Sequence, residues 1–248
     1  MPIKQFCTRN KVWNFKSYDL TRWAAFIGTI FFICSMFMFV FQGQDARVKD
    51  PNIFVMIWIK WFGYFTVQSN IVVGAYLLWY WLNPKHKAVN GSFLVYMVGY
   101  ITITFALYSA LLLPAAIKNH DVDNWGWVGY TTNILQHYLV PVSAFVFYGL
   151  YVWQHRKDFN SRWGLWSCMG LGMIYPCIYI VYACLLPFMS NHQYSAYGAF
   201  TNLDPKLEIG GVAGNLSALI YIFGALAGFI LVLILYRLAF VKFNKKSK

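Results

Sequence analysis

The sequence predicts an all-α polytopic membrane protein: six transmembrane helices in one bundle, with both termini in the cytoplasm. Three observations carry that prediction. First, of 248 residues, 59% are hydrophobic and only 11% charged, where a soluble domain carries about 25% charged residues. Mean hydropathy is +0.49, so the chain has too little polar surface to meet water on every side. Second, the apolar residues fall in continuous runs, without the period-two alternation of a membrane β-barrel. Third, the basic residues gather at alternate ends of those runs.

A hydrocarbon core takes roughly 20 apolar residues per helix. Six runs meet that length, at about 21–41, 55–82, 92–117, 127–152, 163–187 and 211–238. The first follows about twenty fairly polar residues and precedes no small-residue cleavage pattern, so it reads as a span and not as a cleaved signal peptide. The second is long. Lys60 near its outer end reads as snorkelling to the interface, with the apolar core starting near Trp61. The third carries Tyr100, Thr104 and Tyr108. The fourth contains NILQHYLVP (133–141), the fifth YPCIYIVY (175–182), and the sixth Asn215. The one long loop, 188–210, holds His192, Tyr194, Tyr197, Phe200, Asp204 and Pro205. It reads as an interfacial loop with aromatic anchors or as a partial lid over a site. No linker, low-complexity tract or repeat divides the chain, so residues 1–248 form a single membrane domain.

Charge sets the orientation. Fifteen of the twenty basic residues flank the start of the first run, follow the second or the fourth, or gather at the end of the sixth. Six of the eight acids lie on the opposite side. The positive-inside rule then puts both termini in the cytoplasm. The same distribution accounts for the net charge of +12 and argues against nucleic acid as a partner, because no soluble segment carries a basic stripe interleaved with aromatics.

The chemistry-bearing residues are few. No Asp or Glu falls in the middle of a run, which weakens proton-coupled transport. Of five histidines only His137 lies deep in a span, too few for a two-histidine haem. The five cysteines show no metal spacing and none lies clearly in an outer loop, so neither a metal, a cofactor nor a structural disulfide is expected. Tyr175, Tyr179 and Tyr182 form a stripe on the fifth span. With Tyr108 and Asn215 they are either interhelical packing or the lining of a cavity.

Two stretches stand out. In YFTVQSN (64–70), Thr66, Ser69 and Asn70 fall at i, i+3 and i+4 on one helical face, while Gln68 points elsewhere. That face must look into the bundle, since lipid offers no hydrogen-bond partners. In NILQHYLVP, Asn133 and His137 share a face, and Pro141 removes the N–H that would bond the carbonyl of His137. Both spans run from outside to inside. At 1.5 Å rise per residue, Thr66 and His137 both lie roughly 8 to 17 Å below the outer boundary. A threonine hydroxyl needs a base to act as nucleophile, and histidine is suited to that work. Gln68, Ser69 and Asn70 would support the site or stabilise an oxyanion, and Asn133 would orient the imidazole. The plain alternative is polar packing between helices.

The order of YFTVQSN, NILQHYLVP and YPCIYIVY, followed by a Tyr/Phe-rich outer loop, resembles the bacterial Pr-six-Pr integral membrane proteins over about residues 20 to 238. More distantly, the chain is similar to the androgen-induced and androgen-dependent membrane hydrolases, six-helix enzymes that cleave fatty acid esters of hydroxy fatty acids with a threonine and a histidine. Thr66 after Tyr64-Phe65, with Asn70 beyond, looks like their threonine motif. Asn133, His137 and Pro141 look like their histidine motif. Asn70 lies one residue further along than in that pattern, Pro141 one residue earlier, and Gln68-Ser69 belongs to the bacterial pattern alone.

Taken together, the residues and the resemblance point to an intramembrane lipid-ester hydrolase or acyl transferase. Thr66 would be its nucleophile and His137 its base, in a cavity open to the outer leaflet. Its substrate would be a membrane lipid or acyl chain entering laterally. The rival reading is a non-catalytic lipid-binding or partner-binding subunit; the residues name no protein partner.

Overall fold

The computed structural model describes residues 20–49, 62–84, 91–154, 165–189, 197, 208–209 and 212–245. Helix α1 spans Leu20–Lys49 and α2 Phe65–Leu82. Helix α3 runs through three consecutive stretches: Gly91–Leu107, a π-helical turn at Tyr108–Leu112, and Leu113–Lys118. Helix α4 repeats that construction with Gly126–Ile134, a π turn at Leu135–Leu139, and Val140–Gln154. Helix α5 is Leu165–Met189 and α6 is Gly214–Lys245. A minimal antiparallel hairpin, β1 (Glu208–Ile209) with β2 (Val212–Ala213), leads into α6.

Five segments are long and apolar enough to cross a membrane: Leu20–Phe41, Phe93–Lys118, Gly126–Trp153, Met169–Phe188 and Ala218–Ala239. The chain is therefore a multi-pass helical membrane protein. Helix α2 is not among the five. Its first turns carry Thr66, Gln68, Ser69 and Asn70, which dilute an 18-residue helix. The sequence suggested a run from 55; among the described residues Phe62 is helical, the chain breaks at Gly63 and the extended Tyr64 (φ −85°, ψ 131°), and helix resumes at Phe65. Lys60 and residues 55–61 lie outside the described residues.

Burial confirms the solvent. Large apolar side chains face outward, among them Ile27 and Phe37 on α1, Ile178 and Val181 on α5, and Phe223 and Leu231 on α6. Polar side chains point inward: Thr29, Ser35, Ser69, Asn70, Thr104, Gln136, His137 and Ser143 are all buried. This is the arrangement lipid imposes, because an unpaired polar group in hydrocarbon costs several kcal/mol (on the order of).

Helix α1 packs on α2 and α4, α2 on α3 and α4, α3 on α4 and α6, and α5 on α6. The core between them holds Val73, Leu77, Tyr80, Leu94, Met97, Ile101, Val140 and Phe147. Small residues let the backbones approach. A Cβ on Gly28 would stand 2.6 Å from Leu77 of α2 and 2.8 Å from Ser143 of α4. A Cβ on Gly74 would collide with the ring of Phe32 on α1. At the far end of α2, the Arg22 guanidinium donates to the carbonyl of Trp81 at 2.9 Å, a cation on the last turn of a helix where the exposed carbonyls favour one.

Candidate functional site

The polar stretch that opens α2 is tied to α3, α4 and α5. The first N–H groups of a helix have no intrahelical partner, and no side-chain oxygen of Tyr64 caps them. Two phenols do so instead. The Phe65 N–H donates to the hydroxyl of Tyr179 at 2.9 Å and to that of Tyr197 at 3.0 Å. The Tyr179 hydroxyl in turn donates to the carbonyl of Gly63 at 2.6 Å. Tyr197 and Thr66 stand on the wall of the same cavity. The ring of Phe65 is enclosed by Tyr100, Tyr175, Tyr179 and Phe229 at centroid separations of 5.0–6.2 Å.

Further along, each polar side chain goes to a different place. Gln68 donates from Nε2 to the carbonyl of Phe62 at 2.7 Å and accepts from the Tyr175 hydroxyl of α5 at 2.9 Å. The Ser69 hydroxyl donates to the carbonyl of Thr66 at 3.0 Å and pairs with the Thr104 hydroxyl of α3 at 2.8 Å. Asn70 donates from Nδ2 to the carbonyl of Thr66 at 2.8 Å and to that of Gln136 on α4 at 3.1 Å. Helices α2 and α4 are thus direct neighbours at the depth of Gln136 and His137.

Both π turns stand just ahead of a proline. Before Pro114, the N–H of Leu113 bonds the carbonyl of Tyr108, five residues back. Before Pro141, the N–H of Val140 bonds the carbonyl of Leu135, again five back. A proline within a helix has no N–H to give and crowds the carbonyl four residues earlier; a widened turn absorbs both effects, and such turns cluster at functional sites. Their product is one contact. Tyr108 and His137 lie face to face, 3.5 Å between ring centroids and 9° between planes.

Asn133 does not orient the imidazole. Its Oδ1 accepts from the Tyr108 hydroxyl at 3.1 Å and its Nδ2 donates to the carbonyl of Gly129 at 2.9 Å. The π turn, with its i→i+5 bonds, breaks the four-residue face that Asn133 and His137 would share in a regular α-helix. Asn133 therefore holds the ring that lies on His137, and not His137 itself.

A cavity of about 440 Å³ occupies the end of the bundle where α2 and α6 begin and α3 and α5 finish. Its wall is mostly apolar, with Phe65, Ile103, Leu107, Leu111, Ile180, Ile220 and Phe229. Thr66, Thr104, Tyr108, Tyr179, Tyr197 and Tyr221 bring the polar groups. Its size falls within the range of about 300–1,000 Å³ usual for small-molecule sites, and a largely apolar wall with a few converging polar groups is their usual character. His137 is not on the wall; Tyr108 is, with the imidazole stacked on its ring.

Of the other residues singled out in the sequence, Tyr175 is occupied by Gln68, and Tyr182 lies beside Tyr179 at 6.4 Å between ring centroids. Asn215 falls in the first turn of α6, its side chain outside what the structure describes. Of the 188–210 loop, the described residues after α5 are Tyr197 and the Glu208–Ile209 strand. Three participants were not recognised from sequence: Tyr197 as a partner of the Phe65 N–H, Thr104 as a partner of Ser69, and Gln136. For Gln136 a signal existed, an amide next to the only deep histidine inside an otherwise apolar run.

Polar side chains turned inward, lipid-exposed apolar faces and an interior cavity define a polytopic α-helical membrane protein. Residues 130–246 match the family described as "Protein of unknown function (DUF1600)". The uncharacterized protein MG452 homolog of Mycoplasma pneumoniae is 31% identical over 191 residues, 71% of each chain. The uncharacterized protein MG133 of Mycoplasma genitalium is 30% identical over 197 residues, 67% of this chain and 74% of that one. The chain belongs to the family of these mycoplasma proteins. No solved structure matches it.

Proposed function

We propose that this protein is an intramembrane lipid-ester hydrolase or acyl transferase in which Thr66 is the nucleophile and His137 the general base. The observation that carries the reading is the cavity: a mostly apolar space of about 440 Å³ with Thr66 on its wall and the Tyr108–His137 stack beside it. A single acyl chain entering from the membrane fills the apolar part and leaves its ester at Thr66. The hydroxyl attacks the ester carbon, the imidazole takes its proton and returns it to the departing alkoxide, and water or a second alcohol resolves the acyl-threonine. The substrate complex must bring an imidazole nitrogen within about 2.6–3.2 Å of the Thr66 hydroxyl, directly or through one water. Tyr197 shares the cavity wall with Thr66 and offers a hydroxyl donor for the oxyanion; Gln68, Ser69 and Asn70 are engaged with neighbouring helices. The likeness of YFTVQSN and NILQHYLVP to the threonine hydrolase motifs points the same way.

A second reading, a non-catalytic lipid-binding subunit, is favoured by one observation: Gln68, Ser69 and Asn70 bond α5, α3 and α4 respectively. Labelling the purified protein with a fluorescent fluorophosphonate separates the two. The hydrolase reading expects wild type to label, and Thr66→Ala and His137→Ala to lose the label while keeping their thermal stability. An unlabelled wild type, with both variants destabilised, would leave lipid binding as the function.

The finer topology is part of this proposal. Helix α2 is the sixth span, both termini are cytoplasmic, and the membrane is the bacterial cell membrane. The asymmetry of basic residues supports it, as do Asp121 and Asp123 in the turn between α3 and α4.

A further inference from the structure

Helices α3 and α6 part company along the cavity, and three glycines measure the gap. At Gly99 of α3 an added Cβ would stand 2.6 Å from the Leu233 side chain of α6, so the two helices are in tight contact there. About one turn nearer the start of α6, a Cβ on Gly228 would meet Ile103 of α3 at 3.7 Å, an ordinary contact. One turn further still, a Cβ on Gly224 would meet nothing within 4 Å. The seam therefore opens, turn by turn, toward the end where α6 begins. Leu107 and Leu111 on α3, and Ile220 and Tyr221 on α6, line the cavity and are also exposed on the outside of the bundle. Residues that do both mark a mouth. All four, and Gly224, fall within the membrane-long segments Phe93–Lys118 and Ala218–Ala239, so the mouth meets hydrocarbon and not water.

The wall selects what passes. No Asp, Glu, Lys, Arg or His lines the cavity, and its side-chain polar groups are hydroxyls. A charged group brought inside would have lost its water and found no counter-ion, whereas an ester or alcohol needs only hydroxyl partners. We propose that the seam between α3 and α6 is the portal through which a single-chain, uncharged lipid enters from the membrane, and that Gly224 keeps it open. The uncharged head passes inward to Thr66, which is buried, and the chain trails through the mouth between Leu111 and Ile220. The portal serves either function proposed above; the delivery of an ester to Thr66 rests on the hydrolase reading.

The test is photocrosslinking of full-length protein in lipid nanodiscs, with the crosslinked residues found by mass spectrometry. The probes are a monoacylglycerol carrying a diazirine close to its ester and a lysophosphatidate with the same chain. Ile103 and Phe229 are the readout, because both line the cavity and both are buried. The monoacylglycerol should crosslink to them, and the lysophosphatidate about a hundredfold less, the penalty of a charge at that depth. Gly224→Trp and Leu111→Trp, one on each lip, should abolish the crosslinks with the melting temperature kept. Gly149→Trp, which adds the same side chain to an open site on α4, should leave them intact. Crosslinks at Ile103 and Phe229 that survive both lip variants would overturn the portal. Equal crosslinking by the lysophosphatidate would overturn the uncharged lipid, and a wild type uncrosslinked at both residues would overturn both. Fluorophosphonate labelling reads separately: a wild type that crosslinks in the cavity yet resists the fluorophosphonate sinks the hydrolase and supports the portal.

Discussion

The cap on α2 makes a quantitative prediction about coupling. Tyr179 and Tyr197 both accept from one donor, the Phe65 N–H, at 2.9 and 3.0 Å. Replacing either phenol by phenyl leaves that amide with a partner. Tyr179→Phe also gives up the bond to the Gly63 carbonyl. The rings remain, so the packing of Tyr179 on Phe65 at 5.0 Å and of Tyr197 on Tyr64 at 5.6 Å is kept. Side-chain hydrogen bonds between membrane helices are worth about 0.6 kcal/mol on average, so each single variant should lose about 1 kcal/mol. The double variant strands the Phe65 amide in a residue only 5% exposed. An unsatisfied buried donor costs roughly 1–3 kcal/mol beyond the bonds lost. The pair should therefore exceed the sum of the singles by about that amount, well above the few tenths expected of independent sites. Equilibrium unfolding of the four proteins in bicelles measures the cycle. Strict additivity would refute the shared cap, and with it the account of why α2 begins at Phe65.

Two further outcomes follow from packing and topology. Gly74→Leu drives a side chain into the ring of Phe32; overpacking of this kind costs about 1–3 kcal/mol, and the added variant Phe32→Ala should recover most of the lost thermal stability. In a cysteine-free background, Asp123→Cys in the exposed turn between α3 and α4 should react with a membrane-impermeant maleimide on intact cells. Asn83→Cys at the end of α2 should react only after permeabilisation. The reverse pattern would invert the bundle, and labelling of both positions on intact cells would remove α2 from the spans.

The class of fold was legible because it depends on sums. Continuous apolar runs and 11% charged residues survive errors of several residues at each end: of the six expected runs, three return as membrane-long helices within about one residue of their limits and two begin six and seven residues later than expected, at Met169 and Ala218. The start of α2 was not legible. It depends on two phenols 114 and 132 residues away, and nothing local in YFTVQSN announces the break at Tyr64 after which helix opens at Phe65. The polar face of α2 was read correctly as facing inward, since Ser69 and Asn70 are fully buried. Its partners depend on helix packing: Thr104, Tyr175 and the Gln136 carbonyl lie on three different helices, and no spacing within one segment reveals them.

The misreading of Asn133 shows where period-based reasoning gives way. Four residues make one helical face only if the turn between them is α-helical. Pro141 was noticed in the sequence, for the N–H it removes from the carbonyl of His137. The chain spreads the disturbance over Leu135–Leu139 and so rotates His137 away from the face of Asn133. Pro114 does the same to α3, and the two widened turns present Tyr108 and His137 to each other. Each widened turn contributes one ring to the flat stack at 3.5 Å, with Asn133 holding the tyrosine by its hydroxyl. Prolines Pro176 and Pro187 lie inside α5, which stays α-helical throughout, so proline is not sufficient for such a turn. What α3 and α4 share, and α5 lacks, is a partner π turn on the facing helix, and the ring stack between them is the contact that both widened turns serve.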